Sequence, residues 1–276
     1  MKIVGQKKLL KTIDDLLVKD KFPRFSILVG PTGSEKEKVA TYIAQGLKTQ
    51  QAYIGTKVES IREMVDISYK VVVPTLFVIS DADNMSPAAK NAMLKVTEEP
   101  PTNAYFLMTV TYKNNVLATI RSRGQIFYCD PYEPKQLIEY AKSIQDLSEI
   151  DMHAVSNVCQ TPGDVDSLMR MGITDFYSFV EKVVDNIDIV SGTNAFKIGQ
   201  SLATKSTDTT KIDMKLFFRA VQSVCTDRLT TDPSKYVDGI MVTSEYLKQL
   251  QNPSFNKTYI FDNWVLDIRK KWGDLE

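Results

Sequence analysis

Short apolar runs alternate with amphipathic segments over the first 130 residues of the chain. Each run has the length and the β-branched or aromatic content of a buried strand. The runs cover residues 25–29, 75–79, 105–110 and 126–128. The segments with the spacing of amphipathic helices cover residues 8–19, 35–48, 60–69 and 87–98. Strands that alternate with helices predict an α/β fold, a parallel sheet with helices on both faces.

The pattern changes at residues 130–134, a hinge that contains Pro131 and Pro134. Beyond it the strand signals end and the apolar residues recur at helical spacing. Two stripes mark one face of a helix each: Phe176, Phe179, Val180, Val183, Val184 and Ile187, and then Phe261, Trp264, Val265, Ile268 and Trp272. We therefore predict an α/β domain over 1–130, a small helical domain over 131–172 and an all-α domain over 173–276.

Composition excludes several classes of protein. The 276 residues carry 34 basic and 34 acidic side chains, so the net charge does not favour a general DNA-coating protein. Cys129, Cys159 and Cys225 lie far apart in sequence and form no pair that could hold zinc, so we predict buried thiols. The sequence has no run of eighteen apolar residues and no signal-peptide pattern, so we expect a cytoplasmic protein without a membrane partner.

A segment with the pattern of a phosphate-binding loop lies between the first predicted strand and the following helix. Its residues are Gly30, Pro31, Thr32, Gly33, Ser34, Glu35, Lys36 and Glu37. The lysine of the working motif is present, but Glu35 stands where the motif has glycine and Glu37 where it has the hydroxyl that holds magnesium. A carboxylate about 4 Å from a phosphate charge costs roughly 4 kcal/mol at an effective dielectric constant near 20. We therefore predict a vestigial nucleotide site.

Two interpretations of this segment stay open. Ser34 and Glu37 have the spacing of a capping box, in which their side chains would satisfy the helix-start N–H groups that otherwise bind phosphate. Alternatively, Lys36 still binds nucleotide. The second half of an ATP site is also altered, because Ser80 and Asp81 follow the 75–79 strand where magnesium sites have an aspartate and then a glutamate.

The sequence resembles the clamp-loader branch of the AAA+ ATPases, and within it most closely the delta-prime subunits. Four segments carry the resemblance: Ile3 to Gln6, Phe22 to Pro31, Asn91 to Pro101 and Leu117 to Gln125. The last of these matches the family's Ser-Arg-Cys segment, with Gly124 in place of the cysteine. The resemblance implies an AAA+ P-loop domain over 1–130, followed by a helical lid over 131–172 and a helical collar over 173–276.

The resemblance also implies a role for Arg123. In the family, the arginine of the Ser-Arg-Cys segment reaches in trans into the ATP site of a neighbouring subunit, where it stabilises charge on the transferred phosphoryl group. The implied partners are other clamp-loader subunits in a hetero-oligomer, which we expect to be a pentamer, together with a sliding clamp and, through the complex, primer–template DNA.

Departures from the family pattern concern the nucleotide and the metal. Bacterial members usually carry a zinc-binding cysteine cluster after the P-loop helix, but residues 45–75 contain no cysteine, so we expect no metal. Asp166 stands where the lid of relatives supplies a sensor arginine, and Thr109 or Thr111 stands at the position of the first sensor. We expect no resident cofactor, with weak residual binding of ATP and magnesium left open.

Three hypotheses about function follow. The first is a non-hydrolysing, delta-prime-like subunit of a sliding-clamp loader, without intrinsic ATPase activity, that supplies Arg123 to an adjacent subunit. The second is an ATP-binding motor subunit of the loader with a divergent P-loop that uses Lys36, Glu37 and Asp81. The third is a DNA-binding AAA+ replication module.

Overall fold

The computed structural model describes residues 3–187, 213–250 and 256–273. The chain divides into two compact units. Unit 1 comprises Met1–Glu133 together with Thr161–Gly163, and unit 2 comprises Pro134–Gln160 and Asp164–Glu276. The three predicted domains, with boundaries near 130 and 172, stay predictions.

Unit 1 is built on a parallel sheet of five strands. The strands are β1 (Phe25–Val29), β2 (Gln50–Ile54), β3 (Thr75–Ile79), β4 (Ala104–Val110) and β5 (Gln125–Tyr128), in the spatial order β2-β3-β4-β1-β5. The helices are α1 (Lys7–Val18), α2 (Lys36–Leu47), α3 (Val58–Ser68), α4 (Pro87–Ala92), α5 (Leu94–Glu98) and α6 (Ala118–Arg121). Because β1 lies between β4 and β5, with Ile27 beside Met108 and Ile126, the loop that follows β1 starts at an interior strand of the sheet.

Helices cover both faces of this sheet, as predicted. On β1, Ile27 packs into a cluster with Ile61 and Met64 of α3, whereas Leu28 packs into a second cluster with Ile13 of α1 and Ile43 of α2. Successive side chains of a strand point to opposite faces, so β1 packs against helices on both faces, and all five of its residues, including Ser26, are buried. The predicted α/β class, a parallel sheet with helices on both faces, is confirmed.

Most predicted elements of unit 1 are present, with three differences. The sequence pattern predicted neither β2 nor the short helix α6. The helix predicted over 87–98 is divided into α4 and α5 at Met93, whose backbone N–H donates to the carbonyl of Lys90, three residues back, at 3.2 Å. Its start is confirmed, because the Ser86 hydroxyl accepts a hydrogen bond from the Ala89 N–H at 3.2 Å.

The described part of unit 2 is helical. Its helices are α7 (Pro134–Lys142), α8 (Glu149–Val158), α9 (Pro162–Met171, whose first residues belong to unit 1), α10 (Ile173–Asn186), α11 (Met214–Asp227), α12 (Pro233–Gln249) and α13 (Lys257–Trp272). Phe217, Phe218, Phe261 and Trp264 form an aromatic cluster with ring centroids 5.2–5.8 Å apart. Both apolar stripes of the sequence supply core residues on α10 and α13.

The cysteines differ in their surroundings. Cys159 and Cys225 are buried thiols, as predicted, but Cys129 is partly exposed beside the loop that follows β1. Across the described ranges, no helix is both long and apolar enough to cross a membrane. Within the same ranges, no group of three or more His, Cys, Asp or Glu side chains could hold a metal ion.

Candidate functional site

The predicted phosphate-binding loop joins β1 to α2 and contains two residues with positive φ. The Gly30 N–H donates to the carbonyl of Val110 on β4 at 3.0 Å, which fixes the start of the loop to the sheet. Gly33 has φ +82° and Glu35 has φ 58°, both in the left-handed region that favours glycine. Glu35 therefore adopts the backbone conformation of the glycine that it replaces.

The predicted capping box at the start of α2 is wrong. The residue before the helix is Glu35, and its side chain makes no capping hydrogen bond. The Ser34 hydroxyl instead donates to the carbonyl of Pro31 at 2.7 Å, and Glu37 is exposed on the first turn. The left-handed conformation of Glu35 explains the difference, because it moves the helix start one residue beyond the position that Ser34 needs for capping.

The Glu35 carboxylate is compensated by neighbours that the sequence pattern did not reveal. It accepts a hydrogen bond from the Val4 N–H at 3.0 Å and forms an ion pair with Lys38. Its side chain is only 7% exposed. The expected repulsion of a phosphate therefore comes mainly from Glu37, and Glu35 also ties the N-terminal segment to the loop.

Lys36 is turned back into its own loop. Its Nζ donates to the carbonyls of Gly30 at 2.8 Å and Pro31 at 2.9 Å, and the residue is buried. Burial lowers the pKa of Lys36, and the negative charges of Asp81 and of other nearby groups oppose this shift. The ammonium group that would contact a phosphate thus already has two backbone acceptors.

The chain's own backbone covers the loop at Gly33. The Gly163 N–H donates to the Gly33 carbonyl at 3.0 Å. A Cβ added to Gly163 would lie 2.6 Å from the Gly33 Cα, and one added to Gly33 would lie 2.7 Å from the Thr161 Oγ1. The two backbones are therefore in direct contact, with no room for a side chain between them.

A second segment, which follows β5, packs on the other flank of the loop. The Tyr132 hydroxyl donates to the Ser34 carbonyl at 2.9 Å, and a Cβ on Gly30 would lie 2.5 Å from the Cys129 Sγ. Burial raises the pKa of Tyr132 and of Cys129, so both stay protonated near neutral pH.

The acidic half of the candidate site follows β3. The Ser80 Oγ is buried and, among the described residues, has no hydrogen-bond partner. The Asp81 N–H donates to the hydroxyl of the buried Thr109 at 3.1 Å, so Thr109 supports the turn after β3. Thr111, the other candidate for the first sensor, contacts Asp83 through its backbone N–H at 2.6 Å.

A third departure from the family's nucleotide site concerns Asp166. Asp166, at the position of the sensor arginine, lies in unit 2, where its Oδ1 accepts a hydrogen bond from the Tyr140 hydroxyl at 2.8 Å. In contrast, Thr161–Gly163, the residues just before it, belong to unit 1.

Arg123 follows α6 on the surface of unit 1. Its guanidinium donates to the Thr119 carbonyl at 2.6 Å and to the Glu98 carboxylate at 2.8 Å. The Arg123 side chain is 34% exposed and that of Glu98 54%. The ion pair joins two of the segments that carry the family resemblance, since Glu98 lies within 91–101. The next residue, Gly124, packs on Phe25, whose Cε1 would lie 2.6 Å from an added Cβ.

Sequence reasoning missed four residues that the structure brings to this region. Asp83, Glu98, Tyr132 and Gly163 all contact a predicted site segment. The acidic repeat after β3 offered a signal for Asp83. The contacts of Tyr132 and Gly163 join segments about 100 residues or more apart, and the local pattern does not encode them.

The family model described as "DNA polymerase III, delta subunit" matches residues 55–133, less than a third of the chain. DNA polymerase III subunit tau of Bacillus subtilis (strain 168) is 22% identical over 181 residues, which cover 54% of this chain and 32% of that protein. DNA polymerase III subunit delta' of Escherichia coli (strain K12) is 40% identical over 53 residues, 19% of this chain and 16% of that protein. The chain thus matches about a third or less of the length of these two relatives. The resemblance to the clamp-loader family is confirmed.

A solved structure gives the same result for the fold. The crystal structure of a DNA polymerase III gamma subunit-related protein from Thermotoga maritima superposes with a TM-score of 0.51 and 16% identity, over 94% of this chain and 99% of that chain. At this level of identity the likeness concerns the fold alone, and it agrees with the AAA+ fold class.

Proposed function

We propose, starting from the confirmed resemblance to the clamp-loader family, that this chain is a non-hydrolysing, delta-prime-like subunit of a sliding-clamp loader in DNA replication. It assembles with other loader subunits in a hetero-oligomer, which we expect to be a pentamer. It acts on the clamp and on primer–template DNA as part of that complex. In this complex Arg123 completes the ATP site of a neighbouring subunit.

The contact between Gly33 and Gly163 is the observation that carries this proposal. Phosphates bind to such loops through backbone N–H groups that a ligand can approach closely. Here another backbone segment lies against the loop, with a hydrogen bond of 3.0 Å and no room for a Cβ. This contact favours a loop that is covered by another segment of the same chain over a loop that is open to a triphosphate.

The chemistry of the remaining groups agrees with a nucleotide site that does not hydrolyse ATP. Lys36 is held by two carbonyls of its own loop, and Glu37 places a negative charge where relatives have a magnesium-binding hydroxyl. Ser80 offers no carboxylate for the metal. At these described positions the groups that bind and activate ATP are therefore replaced or already hydrogen-bonded within the loop, which supports the proposal of a chain without intrinsic ATPase activity.

Arg123 is suited to act outside its own chain. Its planar guanidinium lies at the surface, and its ion pair with the half-exposed Glu98 is weak enough to exchange for a phosphate. An arginine supplied in trans contributes about 10³-fold or more to phosphoryl transfer in other ATPase and GTPase systems. Loss of the chain's own chemistry therefore does not make the chain dispensable to its neighbour.

The test is the ATPase activity of the loader reconstituted with Arg123→Ala. If the neighbouring site that Arg123 completes dominates turnover, we expect the kcat of the complex to fall by about 10³-fold. If several sites contribute, the loss should equal the contribution of that one site to the total ATPase rate. Arg123→Lys should not restore the rate, because a single ammonium lacks the planar fork. Arg62→Ala, at an exposed position of α3, is the matched control. Size-exclusion chromatography must show intact assembly, and unchanged turnover by an intact Arg123→Ala complex would reject the trans role.

The motor-subunit hypothesis keeps one supporting observation, the left-handed backbone of Glu35 that preserves the loop shape around Lys36. Titration of the isolated chain with magnesium-ATP separates the two functions. Micromolar binding that is lost in Lys36→Ala would replace the proposed function by the motor role. Salt-dependent binding of DNA by the isolated chain would instead favour the DNA-binding module.

A further inference from the structure

Asp83 holds the loop that leads from β4 to the Arg123 segment. It lies on the short 3-10 turn Ala82–Asn84 that follows β3. Its Oδ2 accepts a hydrogen bond from the Thr111 N–H at 2.6 Å, and its Oδ1 accepts from the Tyr112 N–H at 3.3 Å and from the Asn115 Nδ2 at 2.8 Å. One carboxylate therefore binds three donors of a single loop. Hydrogen bonds to a charged acceptor are stronger than those between neutral groups.

The loop at 111–117 depends on such contacts for its position. Residues 112–115 are exposed, and their regular structure is a single 3-10 turn, Lys113–Asn115. The loop has one buried apolar anchor, Val116. An exposed loop with little buried surface opens easily unless polar contacts hold it.

Further contacts carry the constraint from the loop to Arg123. Asn114 Oδ1 accepts a hydrogen bond from Arg121 at 3.0 Å, and the carbonyl of Leu117 accepts from the Arg121 N–H at 2.9 Å. The Arg123 N–H in turn donates to the Ile120 carbonyl at 3.1 Å. Each step is a direct hydrogen bond or the backbone of one helical turn, so a displaced loop displaces α6 and the arginine that follows it.

We propose that Asp83 is a positioning residue for Arg123, and this inference rests on the proposed function. The turn after β3, which in the intact motif belongs to the chain's own ATP site, here fixes the segment that serves the neighbour's site. Asp83 acts through the loop and touches neither Arg123 nor a nucleotide. Asp83 thereby holds the Arg123 guanidinium in a position where it can contact a phosphate bound to the neighbouring subunit. The rate of catalysis depends steeply on the position of such a group.

The test is Asp83→Ala in the reconstituted loader. We expect the kcat of the complex to fall about tenfold with the KM for ATP unchanged, because misplacement of about 1 Å already costs up to about 10²-fold. In the Arg123→Ala background the same substitution should have no further effect, since the arginine is then absent. Asp66→Ala, at an exposed position of α3, is the matched control.

Hydrogen exchange provides a readout that is independent of turnover. Asp83→Ala should raise the exchange rates of residues 111–123 and leave those of β1 and β3 unchanged. Asn115→Ala removes one of the three donors at an exposed position, so it tests the same contact if Asp83→Ala folds poorly, and it should produce a smaller change in the same direction.

Two outcomes are separable. Unchanged exchange in 111–123, or an unchanged kcat where Arg123→Ala lowers it, would overturn the role of Asp83 and leave the proposed function intact. An Arg123→Ala complex with full activity would overturn the proposed function and this inference together.

Discussion

Glu35 has φ 58° and ψ 30°, a conformation that costs a residue with a Cβ about 1–2 kcal/mol. The loop keeps this shape although the glycine that favours it is missing. The carboxylate's contacts with the Val4 N–H and with Lys38 contribute stability in return. The residue therefore combines backbone strain with side-chain contacts that offset it.

This combination predicts the relative stability of two variants. Glu35→Ala and Glu35→Gly both remove the carboxylate, but only alanine keeps the left-handed strain. We expect Glu35→Ala to be less stable than Glu35→Gly by about 1 kcal/mol. Hydrogen exchange of the α2 amides reports this difference directly in unit 1. Equal protection in the two variants would show that the loop carries no strain at this position.

Gly124 explains a departure from the family motif at the same scale. Relatives have cysteine after the arginine, whereas here an added Cβ would lie 2.6 Å from the Phe25 ring. Glycine at position 124 thus leaves the space that the Phe25 ring occupies. The sequence shows the substitution, but its reason needs the packing of β1 against the segment after α6.

At the scale of elements, the four strands with apolar runs were predictable from the sequence, and β2, at one edge of the sheet, was not. All residues of β1 and β3 are buried, and four of the five residues in each strand are apolar. β2 pairs only with β3, and its five residues are exposed or half-buried. Its sequence, Gln-Gln-Ala-Tyr-Ile, lacks the apolar pattern because tertiary pairing rather than burial makes it a strand.

The segment Thr161–Gly163 is an element-scale feature that local sequence could not reveal, because its partner Gly33 lies about 130 residues away. It leads to a prediction for Gly163→Ala, whose methyl group would approach the Gly33 Cα to 2.6 Å. Backbone atoms must then shift, and overpacking of this kind costs about 1–3 kcal/mol.

The measurement is hydrogen exchange of the Gly33 loop in Gly163→Ala, which we expect to be faster than in the parent chain. Gly55→Ala is the matched control, because its added Cβ would lie 3.4 Å from the Ser60 Oγ, an ordinary contact. If Gly163→Ala left the loop as protected as the control, the close contact would not be what holds it.

On the scale of the whole molecule, each unit has its own core. Unit 1 has two apolar clusters, one on each face of its sheet, and the described core of unit 2 centres on aromatic rings. Both tryptophans of the chain, Trp264 and Trp272, lie on α13. Intrinsic tryptophan fluorescence therefore reports unit 2 alone.

Trp264→Ala should destabilise unit 2 and leave the stability of unit 1 unchanged. The side chain is 1% exposed and its Nε1 donates to the Thr243 hydroxyl at 3.0 Å, so truncation leaves a cavity and a buried hydroxyl without its partner. We expect unit 2 to lose about 3–5 kcal/mol of unfolding free energy. Denaturation followed by Trp272 fluorescence measures this loss, with Trp264→Phe as a milder control. Hydrogen exchange of β1 and β4 should not change; a parallel loss there would mean that the units fold as one.

The candidate site was predictable only in part. Motif spacing located the phosphate-binding loop, Ser80, Asp81 and Arg123, because these residues follow a strand or belong to a long signature. It did not predict that Glu35 pairs with Lys38, or that Asp83 holds the loop before α6. The Glu35–Lys38 pair is local, with i,i+3 spacing, but the motif describes phosphate contacts and not this pair. The Asp83 contact depends on how the ends of β3 and β4 meet at one edge of the sheet, which the order of elements along the chain does not specify.

The ion pair between Arg123 and Glu98 has a consequence for assembly. Without this ion pair the Arg123 side chain would sample many rotamers. In the proposed complex, fixing one rotamer when the neighbouring subunit docks would then cost up to about 2 kcal/mol. Glu98 and the Thr119 carbonyl hold the guanidinium in one orientation beforehand. Because both side chains are well hydrated, releasing this temporary counter-ion costs about 0–1 kcal/mol. Under the proposed function, the free chain therefore holds Arg123 in one ordered orientation before a neighbouring subunit docks, and exchanging Glu98 for a phosphate requires little free energy.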